Sequence, residues 1–127
     1  SISNPNIFSV AEEYPDYLWV ATDGGGLNRF NYATEDFTVF KKDSVSCSIS
    51  DNHMDHVLLT SNGDLLISLY ARLNHYTNKE NCFKEYKIFN EASNNYNGNI
   101  ILIFEDSNKN LWFGTNSGLI GYNPKNK

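Results

Sequence analysis

Leu27, Leu73 and Leu119 lie 46 residues apart, and Phe30, Tyr76 and Tyr122 keep the same step. Phe37 with Phe83 and Phe40 with Tyr86 keep it too. Apolar columns in one register mean that the chain is built from copies of a single unit. A period in the forties belongs to propeller blades and to some helical arrays. Trp19, Leu66 and Trp112 form a further column, as do Val10, Val57 and Ile103, with a first step of 47 because unit one carries an extra residue in its glycine turn. Turns absorb such an insertion more easily than strands do.

Each unit reads as short strands separated by turn residues. In unit three, Ile100–Phe104 is an apolar run, Glu105–Asn110 is polar, and Leu111–Gly114 is apolar again. Asn116-Ser117-Gly118 then precedes Leu119–Tyr122, and Asn123-Pro124 ends the unit. Units one and two add a fourth alternating strand at Phe37–Phe40 and Phe83–Tyr86. Short β-branched and aromatic runs broken by Gly, Asn, Asp and Pro predict an antiparallel meander. Helical arrays need windows with apolar residues at i, i+3 and i+4, and the sequence has none. The expected fold is therefore all-β: a partial β-propeller of about three four-stranded antiparallel blades, the last incomplete, with units near 6–43, 51–89 and 97–127.

A sheet with two apolar faces must pack against a neighbour on each side. Trp19, Leu66 and Trp112 are expected to do this at one equivalent, mostly buried site. Asn62-Gly63 predicts a type I′ hairpin turn, which needs positive φ at both central residues. Asp16 and Lys109 stand at the equivalent glycine position, so those two hairpins are expected to differ in shape.

The 127 residues make fewer than three full units, whereas propellers close with about 4–8 blades. The chain is accordingly expected to be a fragment of a larger ring, with the remaining blades as its partners. An open arc is also expected to self-associate through the Trp19 or Trp112 neighbourhoods and the Leu119–Tyr122 strand. A net charge of −5 with interspersed signs and no basic stripe argues against nucleic acid. No apolar run approaches ~18 residues, so this segment inserts in no membrane as a helix. Cys47 and Cys82 make no zinc pattern, and their spacing leaves a disulfide open.

His53, Asp55 and His56 form the one cluster with metal-binding residue types. The segment opens a strand, where i and i+3 point to opposite faces, so no metal or catalytic role is assigned to it. Asp23-Gly24-Gly25-Gly26 is followed by a strand rather than the helix a phosphate loop requires, and reads as a hairpin turn. Glu105-Asp106 repeats Glu12-Glu13 and reads as turn chemistry, not as a catalytic carboxylate pair. Arg72 stands where Gly26 and Gly118 stand. A charge replacing a turn glycine either faces a ligand or reflects drift in a worn repeat. Candidate ligand contacts are thus Asp23, Arg72 and Asn116, one in each such turn; no cofactor is expected.

Leu18-Trp19-Val20-Ala21-Thr22 with Gly26-Leu27-Asn28-Arg29-Phe30, and Ile103-Phe104-Glu105-Asp106 with Asn110-Leu111-Trp112-Phe113-Gly114-Thr115 and Gly118-Leu119, resemble the two-component regulator propeller repeat. Unit two departs from it, lacking the Trp, the Thr and the Gly. The resemblance implies a seven-bladed ring in the periplasmic sensor region of a hybrid two-component system. Such proteins fuse sensor, transmembrane helix, histidine kinase, receiver and DNA-binding domain. Many respond to oligosaccharides. It further implies a non-enzymatic role for this segment. Asn110–Phe113 with Leu119-Ile120-Gly121 also looks like repeats of antibiotic-inactivating propeller lyases, which use a metal and a catalytic His. A metal-assisted lyase or hydrolase, or a pure protein-interaction propeller, is the alternative.

Overall fold

The computed structural model describes residues 1–70, 72–77, 79–86 and 99–123. Ala71 and Pro124 lie outside the described residues, as do the unit limits near 89, 97 and 127. The described elements are eleven strands in three antiparallel sheets. Sheet one is β1 (Ile7–Glu13), β2 (Tyr17–Thr22), β3 (Leu27–Asn31) and β4 (Phe37–Phe40), paired in that order. Sheet two is β5 (His56–Leu59), β6 (Leu65–Leu69), β7 (Arg72–Thr77) and β8 (Cys82–Glu85). Sheet three has three described strands, β9 (Ile100–Glu105), β10 (Leu111–Thr115) and β11 (Gly118–Tyr122). The first strands β1, β5 and β9 lie side by side. The array is that of successive propeller blades.

Strand alternation gives every sheet two apolar faces. Trp19 and Ala21 pack with Leu65, Ile67, Leu69, Tyr76 and Phe83 in one core, between sheets one and two. Leu66 and Leu73 pack with Ile103, Leu111 and Phe113 in a second core, between sheets two and three. The face carrying Trp19, Leu66 or Trp112 is here called the front; the face carrying Leu18, Leu65 or Leu111 is the back. Fronts meet backs at both junctions. Trp19 is 0% exposed, with its ring centroid 5.7 Å from Phe40 and 5.3 Å from Tyr76. Arg29 reinforces the first junction: its guanidinium lies 4.4 Å from the Tyr17 ring centre, and its Nη1 donates to Tyr76 Oη at 3.4 Å.

The third front face corrects one expectation. Trp112 occupies the Trp19 position but is 36% exposed, and Leu119, in the column of buried Leu27 and Leu73, is 69% exposed. Both side chains point away from sheet two, where no described sheet lies against them. Residue type fixed the face; a neighbour fixes the burial. In both tryptophans the indole N–H is satisfied within the repeat, from Trp19 to Glu13 Oε1 and from Trp112 to Asp106 Oδ2, each at 2.9 Å. The indole bond, followed by the Asn110 backbone N–H, holds the Asp106 carboxyl below its usual range. Glu13 and Asp106 thus have a more definite task than turn formation.

The connectors are fixed by a repeated clamp. Buried Asn28 accepts the Ser3 N–H at 3.1 Å and donates to Ser3 Oγ at 2.7 Å. Buried Asn74 treats Ser50 alike, at 2.9 and 2.8 Å. A buried amide needs all such partners, because leaving one unmet costs about 1–3 kcal/mol. Cys47 and Cys82 form a disulfide with a Cα–Cα distance of 4.6 Å, and Phe83 N–H donates to Cys47 O at 3.1 Å. The bond ties the connector to β8, the last strand of sheet two. Closing its 35-residue loop is worth about 4 kcal/mol in the chain-entropy account.

The hairpins between first and second strands also depart from expectation. In unit two only Gly63, not Asn62, has positive φ, at 93°. Gly63 N–H donates to Thr60 O at 3.0 Å and Thr60 N–H to Asp64 O at 2.8 Å. This closes a three-residue loop, a turn followed by one left-handed residue, rather than type I′. Lys109 takes the same left-handed region at φ 66°, while the unit-one hairpin turns through a cis Tyr14–Pro15 bond.

Replacing Trp19 by Ala should cost about 3–5 kcal/mol, and Trp112→Ala roughly 1 kcal/mol or less. Urea denaturation of the two variants checks this; equal losses would mean that Trp112 is covered as fully as Trp19.

A candidate ligand-binding rim

The turns between second and third strands gather along one rim with the connectors. Asp23 forms an isolated β-bridge with His53. Gly26 N–H donates to Asn52 O at 2.9 Å and Ile100 N–H to Tyr70 O at 2.8 Å. Asn99 N–H donates to Asn116 Oδ1 at 3.0 Å. The run Asp23–Gly26 is a hairpin turn, with β2 before it and β3 after it. Gly26 needs its residue type, since φ is +85° and a Cβ would meet Phe40 O at 2.4 Å.

His53 is the centre of the rim. Its Nδ1 pairs with the Asp23 carboxylate, and its Nε2 lies 3.9 Å from Asp55 Oδ1. Its backbone N–H donates to Asp51 Oδ1 at 3.0 Å. The ring stacks on Tyr70, with centroids 4.7 Å apart and planes at 18°, and meets Phe8 edge-on at 5.9 Å. Residues from β1, the first turn, the connector and the second turn therefore converge on one imidazole. Tyr70 holds a left-handed backbone, φ 56°, which costs about 1–3 kcal/mol for a non-glycine residue and is concentrated at functional sites. The Tyr70 ring remains exposed.

The three candidate contacts are distributed along this rim. Asp23 is engaged with His53, and Asn116 with the Asn99 backbone. Arg72 opens β7 opposite Leu69 and is exposed. His56 is not part of the His53 constellation: it sits on β5 opposite Ser68, on the front of sheet two. Among the described residues, no three His, Cys, Asp or Glu side chains are grouped to hold a metal ion. His53, Tyr70 and Phe8 as a ring cluster escaped the sequence reading, because His53 and Tyr70 occupy repeat columns that hold Asn6 and Asp23 in unit one.

Two clefts lie apart from His53. One, of about 530 Å³, is lined by Lys41, Lys42, Cys47, Asn81 and Phe83 beside the disulfide. The other, of about 210 Å³, lies at the opposite end of the sheets, between the Ser61–Gly63 hairpin and the Asn108-Lys109 turn. Ser61 N–H and Oγ donate to the two Glu105 carboxylate oxygens there, at 2.8 and 3.1 Å. Burial, followed by the charge of Tyr122, pushes the Tyr86 hydroxyl on its wall up to about 12.

These sheets define the class: consecutive blades of a propeller. Residues 95–117 match the two component regulator propeller, and the chain is similar to that repeat there. No curated protein matches the chain. Among solved structures it resembles the extracellular domain of BT4673 from B. thetaiotaomicron, described in one case as a hybrid and in another as a one component system. The first superposes with a TM-score of 0.78 at 20% identity, over 95% of this chain and 16% of that one. The second gives 0.77 at 20% identity, over 94% and 16%. The extracellular domain of the hybrid two component system BT3049 gives 0.69 at 19% identity, over 98% and 23%. The likeness is one of fold, and the chain spans less than a quarter of each of these proteins.

Burial holds the half-buried His56 below its ordinary value of 6.5. A depressed histidine binds its proton more readily when unfolded, so its contribution is full above pH 6.5 and lost as pH falls below it. Stability should decline from about pH 6.5 downward, before the carboxylates titrate. Denaturation midpoints across pH 7.5 to 5 should show that slope in the parent chain and a flatter one in His56→Gln.

Proposed function

We propose that this chain is a non-enzymatic segment of an extracytoplasmic sensor propeller in a hybrid two-component system. In this reading an oligosaccharide binds at the turn rim, and its binding governs a histidine kinase elsewhere in the protein. The observation that carries the reading is the regulator-propeller repeat at residues 95–117, in a chain sharing its fold with extracellular domains of such systems. The remaining blades of a seven-bladed ring are its partners.

The rim has the chemistry that recognises a polyol. The exposed Tyr70 ring offers a flat apolar face to sugar C–H groups. The Asp23 carboxylate, the Asn116 amide and the Arg72 guanidinium offer acceptors and donors to hydroxyls. Asp23 and Tyr70 belong to different sheets, so a ligand touching both responds to the angle between them. It shifts a conformational equilibrium by its differential affinity for the two states. A periplasmic location is supported by the Cys47–Cys82 disulfide, because such bonds persist in oxidising compartments.

Isothermal titration of the chain with a panel of oligosaccharides tests the ligand class. Tyr70→Ala and Asp23→Asn should each weaken binding at least about tenfold, or 1.4 kcal/mol, with circular dichroism unchanged. Full-strength binding in both variants would move the ligand off this rim, and no binding by any member would reject the class. The location has its own check. Chain taken from rapidly acid-quenched whole cells of the native host should show no thiol reactive toward maleimide until it is reduced, and free thiols throughout would count against an oxidising compartment.

A further inference from the structure

We infer that the cleft of about 210 Å³ between sheets two and three binds one small planar aromatic molecule with a ring N–H, of the indole type. Both of its walls belong to this chain, and it lies at the far end of the sheets from the rim. It goes beyond the sensor reading and does not depend on it. The first junction supplies the template. There the Trp19 ring centroid lies 5.7 Å from Phe40 and 5.3 Å from Tyr76, and those two rings are 6.0 Å apart. At the second junction the same columns hold Tyr86 and Tyr122, 6.1 Å apart. The aromatic frame is kept, but Leu66 stands in the tryptophan column. Arg29 and Tyr17 also fill the first junction, and their columns in unit two hold His75 and Asp64.

The cleft opens where those larger groups are missing. Leu66, Leu111 and Tyr86 line it. Leu111 stands in the column of Leu65, which packs in one core with Trp19. Leu66 and Leu111 are buried and form the floor. A lining without partner atoms forfeits dispersion contacts, and a flat apolar occupant restores them. Drug-sized pockets run to roughly 300–1,000 Å³, so this smaller cleft suits a single small ring system. The polar wall differs from that of unit one. Glu13 accepts the Trp19 indole N–H at 2.9 Å. Its column in unit two holds Thr60, which accepts the Asp64 N–H within its own hairpin at 3.1 Å. Glu105 is engaged by Ser61. The acceptor for a bound ring N–H is therefore the Asp64 carboxylate, on the wall of the same cleft.

Titration of the isotope-labelled chain with indole, followed by NMR, tests this site. Indole should saturate, moving the amides of Ser61, Gly63 and Lys109 while those of Asp23 and Tyr70 stay in place. N-methylindole lacks the donor and should bind at least about tenfold more weakly, the scale of one hydrogen bond to a charged group. Leu66→Trp puts a side chain where the ligand would lie, so it should abolish saturation and raise the melting temperature. No saturation of the parent chain up to the solubility limit of indole would overturn the proposal. So would shifts centred on the rim, equal binding of N-methylindole, or undiminished binding by a folded Leu66→Trp chain. If that variant does not fold, the amide map and the N-methylindole comparison decide the matter in the parent chain.

Discussion

Each sheet in this molecule must be covered twice, and that constraint orders the rest. A meander of four short strands has too little interior of its own, so its stability comes from pressing one face on each neighbour. Trp19 shows the arrangement most fully. It is buried not within sheet one but against Tyr76 and the apolar strip of β6. Ala21 beside it leaves room for Ile67 and Val57, and Phe40 closes the outer end of the junction. Sheet two then turns its other face, with Leu66 and Leu73, to Phe113 and Ile103.

Polar groups settle where that packing leaves gaps. The indole nitrogens cannot be left unmet, and the acid six residues earlier in each Trp-bearing unit meets them. Unit two has Leu66 instead and carries Thr60 at the acid's position, bonding within its own hairpin to the Asp64 backbone. Loss of the ring and loss of its acceptor go together. The rim follows the same logic with different residues. There His53 lies between two rings and near two carboxylates, at the end of the strands where turns from adjacent sheets come within reach of each other.

The columns made the fold legible, because identical spacing of Leu27, Leu73 and Leu119 and of Phe30, Tyr76 and Tyr122 admits few architectures. Strand alternation also held the front and back faces, since Leu18 and Val20 alternate with Trp19 and Ala21. Burial was harder to read: Trp19 and Trp112 are the same residue in the same column, and only the next sheet distinguishes them. The clamp is present in the sequence as a repeat of its own. Ser1-Ile2-Ser3 recurs as Ser48-Ile49-Ser50 at the 47-residue step, and Asn28 recurs as Asn74. The disulfide and the His53–Asp23 pair were not legible. Both join residues that occupy no common column and meet only because the connector folds back over the sheet edge. At Asn62-Gly63 the dipeptide signalled a turn, but loop length, set by the Thr60–Asp64 pairing, chose its type.

The connector between sheets one and two belongs to both. Asn52 bonds backward to Gly26 and to the Lys42 N–H, while Ser50 bonds forward to Asn74 and Met54 sits in the shared core. No cut between the first two repeats leaves either half with its hydrogen bonds intact. The cooperative unit is thus the junction rather than the blade. The strands β2 and β6 share that junction, although they lie in different copies of the repeat.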